Sequence, residues 1–368
     1  MTPLDLVGGA RPNFVKLAPV VWALRRTGLA YRIVHTGQHY DDEMSESFFK
    51  DLRIPAPDVH LGAGSGLAGA QTARILERYE GHLLAARPAA TVVFGDVNST
   101  LACALAAVKL GVPVVHVEAG LRSFDRTMPE EINRLVTDAV ADLLFASEPS
   151  GLENLEREGV PSERACLVGN VMIDTLLAEL PAARACDTAA SFSLKDKGYG
   201  LVTLHRPSNV DDARTLARLV ELLHELSRTL PIVFPVHPRT LAAARRHGIA
   251  ERLTATQARL ICIEPLPYRH ALSLMAGAAV VLTDSGGLQE ETSVLGVPCL
   301  TLRENTERPI TVERGTSRLV GNDPAKITRA FHNAVAGRWP RGQSIPLWDG
   351  EASVRLVTAL ASWLDARA

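Results

Sequence analysis

The stretch TVVFGDVNSTLACALAAVKLGVPVVHVE, Thr91 to Glu118, sets two short β-branched runs on either side of an alanine-rich helical pattern. Thr91–Phe94 and Val114–Val117 are nearly continuous in apolar residues, which is how strands buried on both faces of a parallel sheet read. The residues from Asn98 to Leu110 supply the helical crossover that parallel neighbours need. Outward from this unit the same alternation recurs at Leu4–Val7, Arg32–His35 and Leu143–Ala146. It starts again at Gly200–Leu204, Ile232–Pro235, Leu260–Ile263, Val280–Thr283 and Cys299–Leu302. Two such series predict an α/β chain of two Rossmann-like doubly wound domains.

The size agrees: 368 residues, 46% of them apolar, exceed what one core serves, roughly 250–300 residues. Pro181 to Gly198 is rich in Ala, Ser, Asp and Lys and has no strand character, so the second domain is expected to begin just before it, near Gly169. Doubly wound sheets bind ligands outside the carboxyl ends of their strands, and two such edges facing each other would form one cleft. At the far end, Val354, Leu356, Val357, Leu360 and Leu364 make Glu351–Arg367 an amphipathic helix able to pack on either domain.

The 39 basic and 41 acidic residues nearly cancel and are interspersed, which leaves no footprint for nucleic acid or an anionic membrane. The five cysteines, Cys103, Cys166, Cys186, Cys262 and Cys299, are scattered without a C-x-x-C pair, so neither a disulfide framework nor a zinc knuckle is expected. Met1 to Arg11 lacks the pattern of a signal peptide, and no apolar run approaches the roughly 18 residues of a membrane span. A cytoplasmic location is expected.

Candidate chemistry gathers where predicted strands end. The first strand runs into Gly8-Gly9-Ala10-Arg11-Pro12, followed by a helical pattern containing Lys16; this is either an anion cradle with Arg11 as a forked phosphate contact, or simply a tight strand-to-helix turn. In the second half, Val280–Thr283 leads to Asp284-Ser285-Gly286-Gly287-Leu288-Gln289-Glu290-Glu291. Ser285 and the two glycines make a donor-rich helix start suited to a diphosphate, and Glu291 one turn along suits a ribose diol; a plain N-cap is the alternative. Asp96 and Glu118 end adjacent strands and, with Glu130 or Glu131, form a set of carboxylates able to divide acid and base roles. Individually, Asp96 also suits a turn or a cap for the next helix. His205 and His237 each follow a strand, positioned for phosphate contact or proton transfer. No His-Glu-x-x-His or Gly-x-Ser-x-Gly occurs, so neither a protein-held metal nor a serine hydrolase is expected.

Seven ordered blocks then resemble the non-hydrolysing UDP-N-acetylglucosamine 2-epimerases: Gly9–Pro19, Thr36-Gly-Gln-His39, Gly95-Asp96, His116–Arg122, Pro129–Arg134, Thr283–Glu291 and Thr306–Pro309. The resemblance spans nearly the whole chain. It implies a glycosyltransferase-B-like pair of domains, 1–168 plus 351–368 and 169–350, with the last helix returning to the first, and a homodimer acting without nicotinamide or metal. It implies a reaction in which UDP is eliminated to leave a 2-acetamidoglucal and is re-added after C2 is reprotonated on its other face. By position Asp96, Glu118 and Glu130 match the family's catalytic carboxylates, with His205 beside the phosphates. Ser285, Gly286 and Gly287 would hold the diphosphate and Glu291 the ribose, while Arg11, Lys16, Arg134, His237 and Arg308 complete the substrate-binding set. Domain closure would precede chemistry.

Two stretches depart from the family's pattern. Asn13 replaces a longer acid or amide, and Tyr40-Asp41-Asp42-Glu43-Met44 differs from members that UDP-N-acetylglucosamine activates allosterically, so such activation is not expected. That stretch, with Ser123-Phe124-Asp125, also resembles relatives acting on diacetamido uronates, whereas Thr306-Glu-Arg-Pro309 favours the simpler sugar. The rival readings are a hydrolysing epimerase, a retaining glycosyltransferase and a non-catalytic nucleotide-sugar sensor; retention of the three carboxylates opposes the last.

Overall fold

A computed structural model describes residues 2–38, 48–253 and 259–367. The chain forms two compact units, Met1–Ala178 with Pro346–Ala368, and Glu179–Ile345. Each is a parallel sheet with helical crossovers.

The first unit contains β1 (Leu4–Gly8), β2 (Tyr31–His35), β3 (Val59–His60), β4 (Thr91–Phe94), β5 (Val114–Ala119), β6 (Leu143–Ala146) and β7 (Ala165–Leu167). Their order is β3-β2-β1-β4-β5-β6-β7, all parallel. The order reverses between β1 and β4, which opens a crevice at the carboxyl ends of those strands. Val7, Val34 and Val93 pack against alanines of the helix Asn98–Lys109 and against Ile75 and Tyr79 of the helix Ala68–Ala85.

The second unit contains β8 (Gly200–Thr203), β9 (Ile232–Pro235), β10 (Leu260–Ile263), β11 (Val280–Thr283), β12 (Cys299–Thr301) and β13 (Ser317–Leu319), in the order β10-β9-β8-β11-β12-β13. Here the reversal falls between β8 and β11. Val202, Phe234 and Leu282 of the sheet meet Leu219 and Leu223 of the helix Ala213–Thr229 and Phe331 of Pro324–Val335.

Three strands carry no signal in the sequence, and all three are sheet edges: β3, β7 and β13. Each has two or three residues and is partly exposed, so none has the apolar run of a central strand. Pro181, which opens the stretch without strand character, lies inside a helix. The helix Val171–Ala185 continues through it, anchored upstream by the buried Ile173 and Leu176, so the missing proline amide costs one bond in an element already held by packing. The division between the units falls inside this helix, after Ala178.

The helix Ala352–Asp365 belongs to the first unit and packs on the helix Arg11–Thr27. Leu356, Val357 and Leu360 are buried, whereas Val354 faces solvent, so the apolar stripe is narrower than the spacing suggested. Its amino end is fixed by Asp174, whose carboxylate accepts the amides of Ala352 (3.1 Å) and Ser353 (2.7 Å). No described helix is long and apolar enough to cross a membrane.

Candidate active site

In the first unit, β1 turns into the helix Arg11–Thr27 through Gly9 and Ala10. Asn13 closes that turn: its Oδ1 accepts the Gly9 and Ala10 amides at 3.1 and 3.0 Å, and its Nδ2 donates to the Phe94 carbonyl at 2.8 Å. The amides expected to cradle an anion are therefore already committed, which corrects the anion-cradle reading. The positive charge beside this turn comes instead from side chains. Lys16, one turn along, is buried and forms an ion pair with Glu118.

Glu118 lies near the end of β5 in a backbone conformation L-residues rarely adopt, with φ +72°. The β5–β6 register breaks at this residue, between Val117 and Ala119. Such a conformation costs on the order of 1–3 kcal/mol and persists only where the surroundings impose it. Next to it Gly95, φ +62°, immediately follows β4, and Asp96 comes next.

Asp96 does not cap the following helix, whose N-cap is Val97; its carboxylate pairs with Arg134. Arg134 is buried and also donates to Glu131 Oε2 from Nε (3.0 Å) and Nη2 (2.5 Å). Glu131 accepts the amides of Ser123 (2.9 Å) and Phe124 (3.0 Å) and the Ser123 hydroxyl (3.0 Å). Burial alone would raise this carboxyl, but the Ser123 amide and Arg134 outweigh it and hold it below the ordinary value. Between the two candidates left open in the sequence, Glu131 is thus spent on the 123–124 loop and on Arg134. Glu130 is half-buried beside it. The Thr36–Gln38 block also acts locally, since Gln38 Oε1 accepts the Ser99 amide (3.0 Å) and hydroxyl (2.7 Å) at the start of the helix Asn98–Lys109.

In the second unit, His205 follows β8 and Asp284 follows β11, across the strand reversal. Asp284 is fully buried and accepts the amides of His205 (3.0 Å) and Arg206 (2.9 Å), Asn209 Nδ2 (3.2 Å) and His205 Nδ1 (2.9 Å). Burial works against its charge, but His205 and these amides hold the carboxyl below its usual value. His205 is thereby fixed with its ring one-third exposed, tilted against the His237 ring at 5.4 Å. His237 accepts the Arg239 amide through Nδ1 (3.1 Å), which caps the helix Pro238–Arg246.

Ser285 is the N-cap of the helix Gly286–Leu295, but its side chain makes no capping hydrogen bond. Beneath the turn lie Arg206, Arg303 and Arg308 with the buried carboxylates of Glu290 and Glu307. Arg308 pairs with Glu290 (2.8 Å) and Glu307 (2.5 Å), and Arg303 with Glu307 (2.7 Å). Arg206 reaches Glu307 more loosely, at 3.9 Å, so guanidinium groups and carboxylates interleave beneath the amides of the helix start. Gly286 is a packing necessity: a β-carbon there would lie 2.8 Å from Glu307 Oε1 and closer still to Arg308. Glu291 is buried and accepts the Tyr268 hydroxyl at 2.9 Å; burial pushes its carboxyl up to about 7.

The structure thus brings Lys16, Asp96, Glu118, Glu130 and Arg134 to the carboxyl edge of the first sheet. It gathers His205, His237, Ser285, Gly286, Gly287, Glu291 and Arg308 at that of the second. Arg11 opens its helix, half-buried. His39 and the Tyr40–Met44 stretch lie outside the described residues. Sequence reasoning missed Gly95, Asp284, Arg303 and Tyr268, which act through neighbours; Asp284 and Gly95 at least stood inside blocks already singled out. Among the described residues no cluster of His, Cys, Asp and Glu is arranged to hold a metal.

A family model described as UDP-N-acetylglucosamine 2-epimerase matches residues 23–361. The UDP-N-acetylglucosamine 2-epimerase of Methanocaldococcus jannaschii is 41% identical over 362 residues, 97% of this chain and 98% of that protein. The UDP-2,3-diacetamido-2,3-dideoxy-D-glucuronate 2-epimerase of Pseudomonas aeruginosa is likewise 41% identical, over 96% of this chain and 98% of its own. A crystal structure of the M. jannaschii enzyme in complex with UDP-GlcNAc and UDP superposes with a TM-score of 0.92 at 41% identity, covering 98% of this chain and 99% of that one.

Proposed function

This chain belongs to the UDP-N-acetylglucosamine 2-epimerase family, and from that premise we propose that it interconverts UDP-N-acetylglucosamine and UDP-N-acetylmannosamine by inverting C2. The observation that carries the proposal is the pair of ion pairs, Lys16–Glu118 and Arg134–Asp96, at neighbouring strand ends. A carboxylate takes the C2 proton as the C1–O bond breaks, and UDP leaves with the electron pair, giving a 2-acetamidoglucal. A proton then returns to the other face of C2, and the diphosphate oxygen rebonds to C1. Positive charge grows on the sugar and negative charge on the leaving group, so carboxylates at the sugar and amides with guanidinium groups at the diphosphate would favour the transition state.

The roles follow the chemistry of each group. Asp96, Glu118 and Glu130 act on the sugar, with Arg11, Lys16 and Arg134 orienting them and the substrate. Ser285, Gly286, Gly287 and Arg308 take the diphosphate, His205 and His237 stand beside it, and Glu291 accepts the ribose hydroxyls. Proton transfer in this reading uses side chains of the protein alone, and the enzyme is a cytoplasmic homodimer.

The test is incubation with UDP-N-acetylglucosamine in heavy water. UDP-N-acetylmannosamine with deuterium at C2 is expected; free N-acetylmannosamine would mean a hydrolysing enzyme, and dependence on an acceptor a transferase. The equal identity to the P. aeruginosa protein supports a second reading, in which the substrate is a UDP-2,3-diacetamido uronate. Exchange at C2 with that sugar and none with UDP-N-acetylglucosamine would select it.

A further inference from the structure

His116 lies in the middle of β5, fully buried, a polar residue in an otherwise apolar run. Its Nε2–H donates to the Gly95 carbonyl at 2.8 Å, and its Nδ1–H to Asp138 Oδ1 at 2.6 Å. Asp138, from the helix Pro129–Val140, accepts the Gly120 amide on its other oxygen at 3.0 Å, and Arg122 reaches that oxygen at 2.7 Å. Burial opposes the Asp138 charge, but His116 and Arg122 hold the carboxyl below its ordinary value.

This network touches the chain on both sides of Glu118. On one side it fixes Gly95, whose amide also donates to Val117 at 3.0 Å and whose Cα stands against the Lys16–Glu118 pair; Asp96 is the next residue. On the other it fixes Gly120, two residues beyond Glu118. The φ of +72° at Glu118 sits between these two anchors, and the β5–β6 register breaks between them as well. A stable core requires none of this, because an apolar side chain at 116 would continue the buried run of Val114, Val115 and Val117 without desolvating two polar groups.

We propose that His116 and Asp138 are positioning residues for the reaction: they hold Glu118 in its strained backbone and Asp96 beside it, and so fix the separation of the two carboxylates. The inference rests on Asp96 and Glu118 being the groups that act on the sugar. A displacement of about 1 Å at such groups costs on the order of 10²-fold in rate, so the effect should appear in kcat.

Two variants remove different arms of the network. His116→Gln keeps a donor for Gly95 but turns an amide oxygen toward Asp138. Asp138→Asn keeps an acceptor for His116 but sets an amide group against the Gly120 amide or Arg122. Turnover is measured by C2 deuterium exchange, per molecule able to bind UDP by calorimetry, with Asp5→Asn as the reference for destabilisation alone. Asp5 is buried at the opposite end of the same sheet, where it accepts Arg32 Nε at 2.8 Å. Expected are a fall in kcat of about 10²-fold in both variants with KM and UDP affinity within threefold, and unchanged kcat in the reference. Unchanged kcat in both variants, or loss of all UDP-binding molecules in both, overturns the proposal by making the network a matter of the fold only. If the unaltered protein exchanges C2 with neither UDP-sugar, the functional reading fails first, and the two failures are told apart.

Discussion

Gly95 stands against Glu118 so closely that a β-carbon at Gly95 would lie 3.1 Å from Glu118 Oε2 and 2.7 Å from Lys16 Nζ. The glycine is needed twice over, for that approach and for its φ of +62°. Gly95→Ala is expected to cost about 1 kcal/mol in stability through the backbone, and a tenfold or greater loss in kcat through displacement of the ion pair. Thermal melting and C2 exchange measure the two separately; a melt shift without a rate loss would show that the pair tolerates displacement.

Removing charge from the carboxylates should separate chemistry from binding. Asp96→Asn, Glu118→Gln and Glu130→Gln are each expected to lower turnover by about 10²-fold or more while UDP affinity stays within threefold, because the anion site is built from other elements. Normal turnover in all three would move the chemistry elsewhere.

Gly286→Ala tests the proposed diphosphate site of the second unit. The residue has no unusual φ, so the backbone accepts alanine, but the methyl group would meet Glu307 and Arg308. Displacing Arg308 from its buried ion pairs should lower the melting temperature and weaken UDP binding about tenfold, a loss of roughly 1.4 kcal/mol. Calorimetric titration with UDP is the measurement.

Glu291 makes stability depend on pH. Its carboxyl is raised from 4.5 to about 7 by burial, so the folded state holds the proton more tightly than the unfolded one. That contribution is complete below pH 4.5 and is lost as pH rises to about 7, a fall on the order of 3 kcal/mol. Glu291→Gln should flatten this part of the profile in denaturant titrations at pH 5 and pH 8.

Asp284 has the opposite sign. Its carboxyl is held below the ordinary value, so its contribution is present above the usual carboxylate range and lost as pH falls through the depressed value. Asp284→Ala leaves two backbone amides and the Asn209 amide without their acceptor and should cost about 3 kcal/mol at neutral pH. Acid unfolding of the variant should begin no earlier relative to its own neutral-pH stability.

The central strands were readable because buried parallel strands are nearly continuous in apolar residues, as Val280–Thr283 and Val114–Val117 are. Edge strands such as Ala165–Leu167 carry no such signal. At the site, strand-end position and residue type singled out Asp96, Glu118 and Ser285. What they could not convey was commitment: which amides Asn13 had already taken, that Glu131 rather than Glu130 was spent on a loop, or that Asp284 held His205. Except for Asn13, whose amide contacts are local, these contacts join residues distant in sequence, as His116 to Asp138 does, and exist only once the sheet is assembled.

The helix Ala352–Asp365 lies on the helix Arg11–Thr27, so the first unit is finished by residues that follow the whole of the second unit in the chain. During synthesis, the whole of Glu179–Ile345 is made before the apolar face of Arg11–Thr27 receives its cover. The second unit is therefore free to fold on its own schedule, while the first waits with a hydrophobic surface bare. Nascent chains stalled short of Leu356 present that surface to chaperones and to one another.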